Sequence, residues 1–188
     1  MSRDTSVERT PASINEMQRI FVTGNAGSGK TTLAKALSKQ LHLPYVGLDS
    51  IVWQPGWTKT PTSERNTLEK AVAADSAWIV DGVSDIILET ADLVIFLDCP
   101  RHKCYWRVFW RNLPYFFRSR PDLPARCPEI LIVRRLLKII WHFPKLVRPK
   151  VLDAGRKRDK DFIHVRSTAE LQQLMHNYAS LSPTCQLL

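Results

Sequence analysis

Gly24-Asn25-Ala26-Gly27-Ser28-Gly29-Lys30-Thr31-Thr32 decides how this chain is read. The stretch follows the pattern Gly, four residues, then Gly-Lys-Thr, whose backbone can cradle phosphate groups. Ahead of it, Arg19-Ile20-Phe21-Val22-Thr23 reads as a short buried strand. Behind it, Leu33, Ala34, Leu37 and Leu41 recur at helical spacing. A loop between a strand and a helix is the placement this chemistry requires.

Each residue type has a physical task. Gly24, Gly27 and Gly29 permit backbone conformations closed to residues with a Cβ, and let the chain approach a phosphate. Asn25, Ala26, Ser28 and Thr32 complete a run of N–H groups turned toward an anion, with the positive end of the helix behind them. Lys30 brings a mobile full charge to β- and γ-phosphates, and the Thr31 hydroxyl can ligate Mg²⁺. A glycine-rich turn that binds nothing would not need Lys-Thr after its last glycine.

The chain has 188 residues, 44% of them hydrophobic and 24% charged. That suits one α/β domain with a full core. No apolar run approaches the ~18 residues of a membrane span. Residues 1–17 are polar and mixed in charge, and are expected to form a disordered leader ahead of a single domain over 18–188. Cys99, Cys104, Cys127 and Cys185 show neither CxxC pairing nor metal-ligand spacing, which fits reduced thiols in a cytoplasmic protein. The net charge is +9, but residues 101–160 hold 17 Lys and Arg against four acids, a local +13, while the remainder carries −4. Such asymmetry calls for an anionic partner: nucleotide phosphates, nucleic acid or a membrane surface.

Four further strands are expected, at 43–49, 77–82, 91–98 and 161–165, alternating with helices. The 91–98 strand is apolar throughout and so reads as buried on both faces. Helices are expected over Thr62–Ala74 with Glu64 and Glu69 outward, over Arg101–Asn112, from Glu129 to about Trp141, and from Thr168 to about Tyr178, with a short one at Asp85–Glu89. Pro144 and Pro149 should bound or kink the chain beyond Trp141. Residues 113–128, with four prolines and three arginines, read as a basic lid insertion. This alternation predicts a three-layer α/β fold, a five-stranded parallel sheet with helices on both faces and ligands at the strand carboxyl ends.

Asp49, Asp81 and Asp98 are placed at those ends. A carboxylate there can hold Mg²⁺ or orient an acceptor, and it can equally cap a turn. Asp81 with the adjacent Gly82 suits a ligand site, Asp49 fits either role, and Asp98 before Cys99-Pro100 reads as a turn residue. Arg107 and Arg111, four apart, share one helix face and could clamp a transferring phosphoryl group. Trp106 and Trp110 share a neighbouring face and are expected in the core. Trp53 and Trp57 flank the Pro55-Gly56 turn beside Asp49, where an acceptor pocket would form. The aromatic and basic residues of 105–118 could also suit single-stranded nucleic acid, and residues 130–141 a membrane surface.

Taken together, the phosphate loop, Leu48-Asp49…Trp53-Gln54-Pro55-Gly56-Trp57, Trp78-Ile79-Val80-Asp81-Gly82, Ala91 to Arg101 and Arg107…Arg111 resemble the P-loop nucleoside- and nucleotide-monophosphate kinase superfamily. Within it, the nearest resemblance is to the adenylate-kinase-like group labelled FlaR, or DNA topology modulation, proteins. The resemblance implies ATP at the loop, Mg²⁺ at Thr31, a lid bearing Arg107 and Arg111, and Asp81-Gly82 at the end of the third strand. One departure stands out: adenylate kinases carry an arginine soon after that Asp-Gly, and here no basic residue follows until Arg101. The leading expectation is transfer of the ATP γ-phosphoryl group to a small nucleotide, nucleoside or hydroxyl acceptor. Two alternatives are an ATP-dependent nucleic-acid-binding regulator and a nucleotide-binding protein without turnover. No Asn-Lys-x-Asp motif is present to read guanine.

Overall fold

The computed structural model describes residues 17–113, 133–157 and 161–179. The expected leader, apart from Met17, and the lid insertion beyond Leu113 lie outside the described residues, as do Cys127 and Cys185. Seven strands and eight helices are described: β1 Arg19–Gly24, α1 Lys30–Leu41, β2 Tyr45–Gly47, α2 Leu48–Val52, β3 Trp53–Gln54, β4 Thr58–Lys59, α3 Thr62–Ala74, β5 Trp78–Gly82, α4 Asp85–Thr90, β6 Leu93–Leu97, α5 Arg101–Asn112, α6 Val133–Leu146, α7 Arg148–Arg156, β7 Asp161–Val165 and α8 Thr168–Ala179.

The five expected strands form one sheet in the order β2-β5-β1-β6-β7, with every pairing parallel. β5 and β6 are buried along their whole length, as continuous apolar runs in a parallel sheet must be. Side-chain alternation divides the core between the two faces. Ile20 and Val22 of β1 with Leu93, Ile95 and Leu97 of β6 pack on Leu33, Ala34 and Leu37 of α1, and Leu171 and Leu174 of α8 lean on them. Phe21, Val94 and Phe96 face the other way, onto Leu48, Ile87, Phe143 and Val151.

Several boundaries differ from expectation for physical reasons. β2 stops at Gly47, its last pair being with Asp81, so Asp49 stands in the first turn of α2 rather than at a strand end. Glu69, expected outward, is 4% exposed; it accepts a hydrogen bond from Ser84 Oγ at 2.6 Å, and Ser84 in turn caps α4 through Ile87 N–H at 3.2 Å. Pro144 lies inside α6 rather than ending it, while Pro149 sits in the first turn of α7, where a missing N–H costs nothing.

Asp98 is more than a turn residue. Its carboxylate accepts from Arg148 Nε at 3.0 and 3.1 Å and meets His164 Nε2 at 3.0 Å, tying β6 to α7 and β7. Arg166 Nε donates to His164 Nδ1 at 3.2 Å, which leaves Nε2 as the donor toward Asp98. Burial pushes the Asp98 carboxyl up, but the hydrogen bonds and charges of His164 and Arg148 outweigh it and hold the pKa at about 2, below its ordinary 3.8. A carboxylate depressed in the folded state contributes stability that is full above about pH 4 and is lost as pH falls toward 2. Asp98→Asn is expected to lower unfolding free energy at neutral pH by on the order of 1–2 kcal/mol, discounted for the half-exposed Arg148. Denaturant titrations across pH should show wild type and variant converging between about pH 4 and 2.

Candidate functional site

β1 runs down the middle of the sheet and delivers the glycine-rich loop to its carboxyl edge. Gly27 at φ 78° and Gly29 at φ 101° occupy the left-handed region, which a side chain would strain. A Cβ on Gly27 would also stand 2.7 Å from the Cys104 carbonyl and 2.9 Å from Val108, so the loop lies against α5 with no room for one. α1 starts at Lys30 with Gly29 as its N-cap and no side-chain cap. Its first-turn N–H groups therefore present a concave donor set with the helix dipole behind it. Lys30 Nζ lies 3.4 Å from the Asn25 carbonyl, folded over the loop.

The loop is held from outside by a bond with a legible cause. Pro144 has no N–H, so the Ile140 carbonyl, four residues earlier in α6, lacks its helical donor. The buried Asn25 Nδ2 donates to that carbonyl at 3.1 Å, while Asn25 Oδ1 accepts from Ala26 N–H at 2.8 Å. One end of the side-chain amide thus ties the loop to α6, and the other braces the loop's own backbone. From α5, Arg107 donates to the Ser28 carbonyl at 3.2 Å and reaches Thr168 Oγ1 at 3.4 Å. Among the described residues, the buried Ser28 Oγ has no hydrogen-bond partner.

In front of the loop is an open cavity of about 570 Å³. Its lining gathers Gly27, Gly29, Lys30, Thr31 and Thr32 with Asp49, Asp81, Arg107 and Arg111. At its floor Thr31 Oγ1 donates to Asp81 Oδ2 at 2.6 Å, and Tyr45 donates to Asp81 Oδ1 at 2.7 Å. These oxygens fit a hard cation, for which hydroxyl and carboxylate are the suited donors. Donor set, lysine and arginines together fit a nucleoside triphosphate. A narrower cleft behind Ser28 is lined by Cys99, Pro100, Arg107, Arg166 and Thr168.

Other sequence-derived site residues fall elsewhere. Gly82 lies under Leu48, whose Cβ would be 2.7 Å from an added one, so it serves packing. Trp53 is buried and meets Trp57 edge-on at 5.3 Å in the β3–β4 hairpin, away from the cavity lining. Trp106 and Trp110, expected in the core, are 64% and 52% exposed; Cys104 and Val108 take the inward face of α5 instead. A cationic group also escaped notice. Arg135 of α6 stacks on Trp53 at 4.6 Å, Trp53 stands opposite Lys59 in the hairpin, and burial together with the charges of Arg135 and Arg65 pushes the Lys59 pKa down. Arg135 is 70 residues or more from the others in sequence, and no local pattern joins it to them.

The family model described as AAA domain matches residues 20–145, about two-thirds of the chain, and the chain belongs to that family. The shikimate kinase of Bacteroides fragilis is 61% identical over 33 residues, 18% of this chain and 18% of that protein. A Bacillus subtilis protein, uncharacterized protein YqaC, is 32% identical over 90 residues, 45% of this chain and 51% of its own. The matches thus span under a fifth of the one and about half of the other. Among solved structures, shikimate kinase from Acinetobacter baumannii in complex with shikimate superposes with a TM-score of 0.54 at 16% identity, covering 94% of this chain and 99% of that one. The fold is that of the P-loop kinases.

Pro144→Ala supplies the missing helical donor and should leave thermal stability unchanged or raised, while loosening the loop. Hydrogen exchange at Asn25 to Gly29 should accelerate to the level seen in Asn25→Ala; unchanged protection would show that the Ile140 carbonyl does not hold the loop.

Proposed function

We propose that this member of the AAA-domain family is an ATP-dependent phosphotransferase acting on a small acceptor that carries an anionic group, nearest in kind to the adenylate-kinase-like FlaR proteins. The observation that carries the reading is one cavity with two chemistries. The uncapped start of α1 with Lys30, the carboxylates Asp49 and Asp81, and the guanidinium groups of Arg107 and Arg111 all line it.

The loop N–H groups and Lys30 hold the β- and γ-phosphates of the donor, and Arg107 stands between the phosphate loop and the cleft at Thr168. Thr31 and Asp81 would hold Mg²⁺, which supplies neutralisation of charge between the phosphates. Arg107 and Arg111 offset the charge that spreads over the transferring group. Asp49 orients the acceptor hydroxyl, with Tyr45 keeping Asp81 fixed in its rotamer. With no arginine after Asp81-Gly82, Arg107 and Arg111, which line the cavity, also offer positive charge to the acceptor's anionic group.

A second reading rests on exposed Trp106 and Trp110 beside Lys103 and Arg111 on α5, a surface suited to stacking single-stranded bases. Single-stranded DNA binding whose log K falls steeply with log salt would support it; no binding at low salt removes it.

The kinase reading is tested with ATP, Mg²⁺ and a panel of nucleosides, nucleotides and small hydroxy acids. Acceptor-dependent ADP formation is expected, and Lys30→Ala should reduce it by roughly a hundredfold or more without altering the melting temperature. Turnover by Lys30→Ala equal to wild type would defeat the assignment.

A further inference from the structure

Two cysteines that lack any recognised pair spacing are brought together where α5 meets the phosphate loop. Cys99 follows the turn after β6, half-buried, and lines the cleft behind Ser28. Cys104 is fully buried on the inward face of α5, with its thiol donating to the Cys99 carbonyl at 3.6 Å. Arg107, one turn further along α5, brings Nη1 to 3.9 Å from the Cys99 sulfur. The same cleft receives the unpartnered buried hydroxyl of Ser28.

We propose that Cys99 is a reactive thiol that hydroperoxides oxidise, and that Cys104 resolves it to an intramolecular Cys99–Cys104 disulfide beside the phosphate loop. The hydrogen bond from Cys104, with the charges of Arg107 and Lys103, overcomes burial and holds the Cys99 pKa down at about 7. Its interaction with the Cys99 side chain, burial and the charge of the Cys99 thiolate push Cys104 the other way, so it keeps its proton until it is used.

In the first step the Cys99 thiolate attacks one peroxide oxygen, the O–O bond breaks, and the leaving hydroxide takes a proton to become water. The product is the Cys99 sulfenic acid. In the second step the Cys104 sulfur attacks the Cys99 sulfur, the S–O bond breaks, and the departing hydroxide takes the Cys104 proton as a second water. The two thiols lose two electrons and two protons, and the peroxide gains them. Oxidation takes the negative sulfur away from Arg107, the residue that also bonds the Ser28 carbonyl. The proposal rests on thiol geometry and does not require the phosphotransfer reading to hold.

The test uses the full chain carrying Cys127→Ser and Cys185→Ser, exposed to hydrogen peroxide, blocked with N-ethylmaleimide and digested with trypsin. Cleavage after Arg101 and Lys103 separates the two cysteines, so their disulfide appears as two peptides joined until reduction. Adding Cys104→Ser should stop the reaction at Cys99 sulfenic acid, captured by dimedone. Adding Cys99→Ser should leave Cys104 unmodified. At pH 7 iodoacetamide should label Cys99 in the native fold roughly tenfold faster than the same residue in urea, reflecting its larger thiolate fraction. Absence of the linked peptides in the wild-type pair, or labelling of Cys99 no faster than in urea, would overturn the proposal. The direct linkage measurement stands even where a Cys104 variant folds poorly.

Discussion

The hydrogen bond from Asn25 to the Ile140 carbonyl is the constraint on which the site's geometry depends. A glycine-rich loop able to wrap a phosphate is, by the same freedom, able to collapse away from one. Rigid walls must compensate. β1 fixes the loop at one end and α1 at the other; its middle has one internal backbone bond, Ser28 N–H to the Asn25 carbonyl, and is otherwise tied to its surroundings by side chains. Asn25 does this from within the loop, and it can do so because Pro144 has emptied one position in the hydrogen-bond ladder of α6. A defect in a helix 115 residues away becomes an anchoring point in the phosphate loop.

That arrangement makes α6 part of the site as well as of the core. Phe143 packs on the sheet with Phe96, Ile140 packs with Cys104 and Val108 of α5, and Arg135 at the other end covers Trp53. The helix that seats the phosphate loop therefore also positions a cation over the hairpin. Movement of α6 would displace the phosphate loop and the Arg135–Trp53 contact together. α5 adds a second connection, through Arg107 to the Ser28 carbonyl, and it carries both Arg107 and Arg111 to the cavity.

The scaffold was readable from the chain because its signals are local. Strand runs such as Leu93 to Leu97 are apolar on both faces, the Gly-Lys-Thr loop has fixed spacing, and α5 begins directly after Pro100. The features that failed to show were contacts between distant segments. Glu69 looks like a surface acid until Ser84 is placed against it, and Asp98 looks like a turn residue until Arg148 and His164 arrive from α7 and β7. The α5 tryptophans point outward because a single helix has one inward face, and Cys104 and Val108 occupy it. Helical spacing alone cannot say which of two apolar stripes wins.

The absent arginine after Asp81-Gly82 can be understood on the same terms. In a parallel sheet the carboxyl end of β5 lies beside that of β2, and here Tyr45 of β2 reaches Asp81 at 2.7 Å while Leu48 closes over Gly82. Space that a long basic side chain would need is filled by α2. Positive charge gathers elsewhere, on Lys59 of the hairpin, Arg65 of α3 and Arg135 of α6, beside Trp53. The hairpin cations lie outside the lining of the phosphate-loop cavity, so positive charge at the cavity itself comes from Lys30, Arg107 and Arg111.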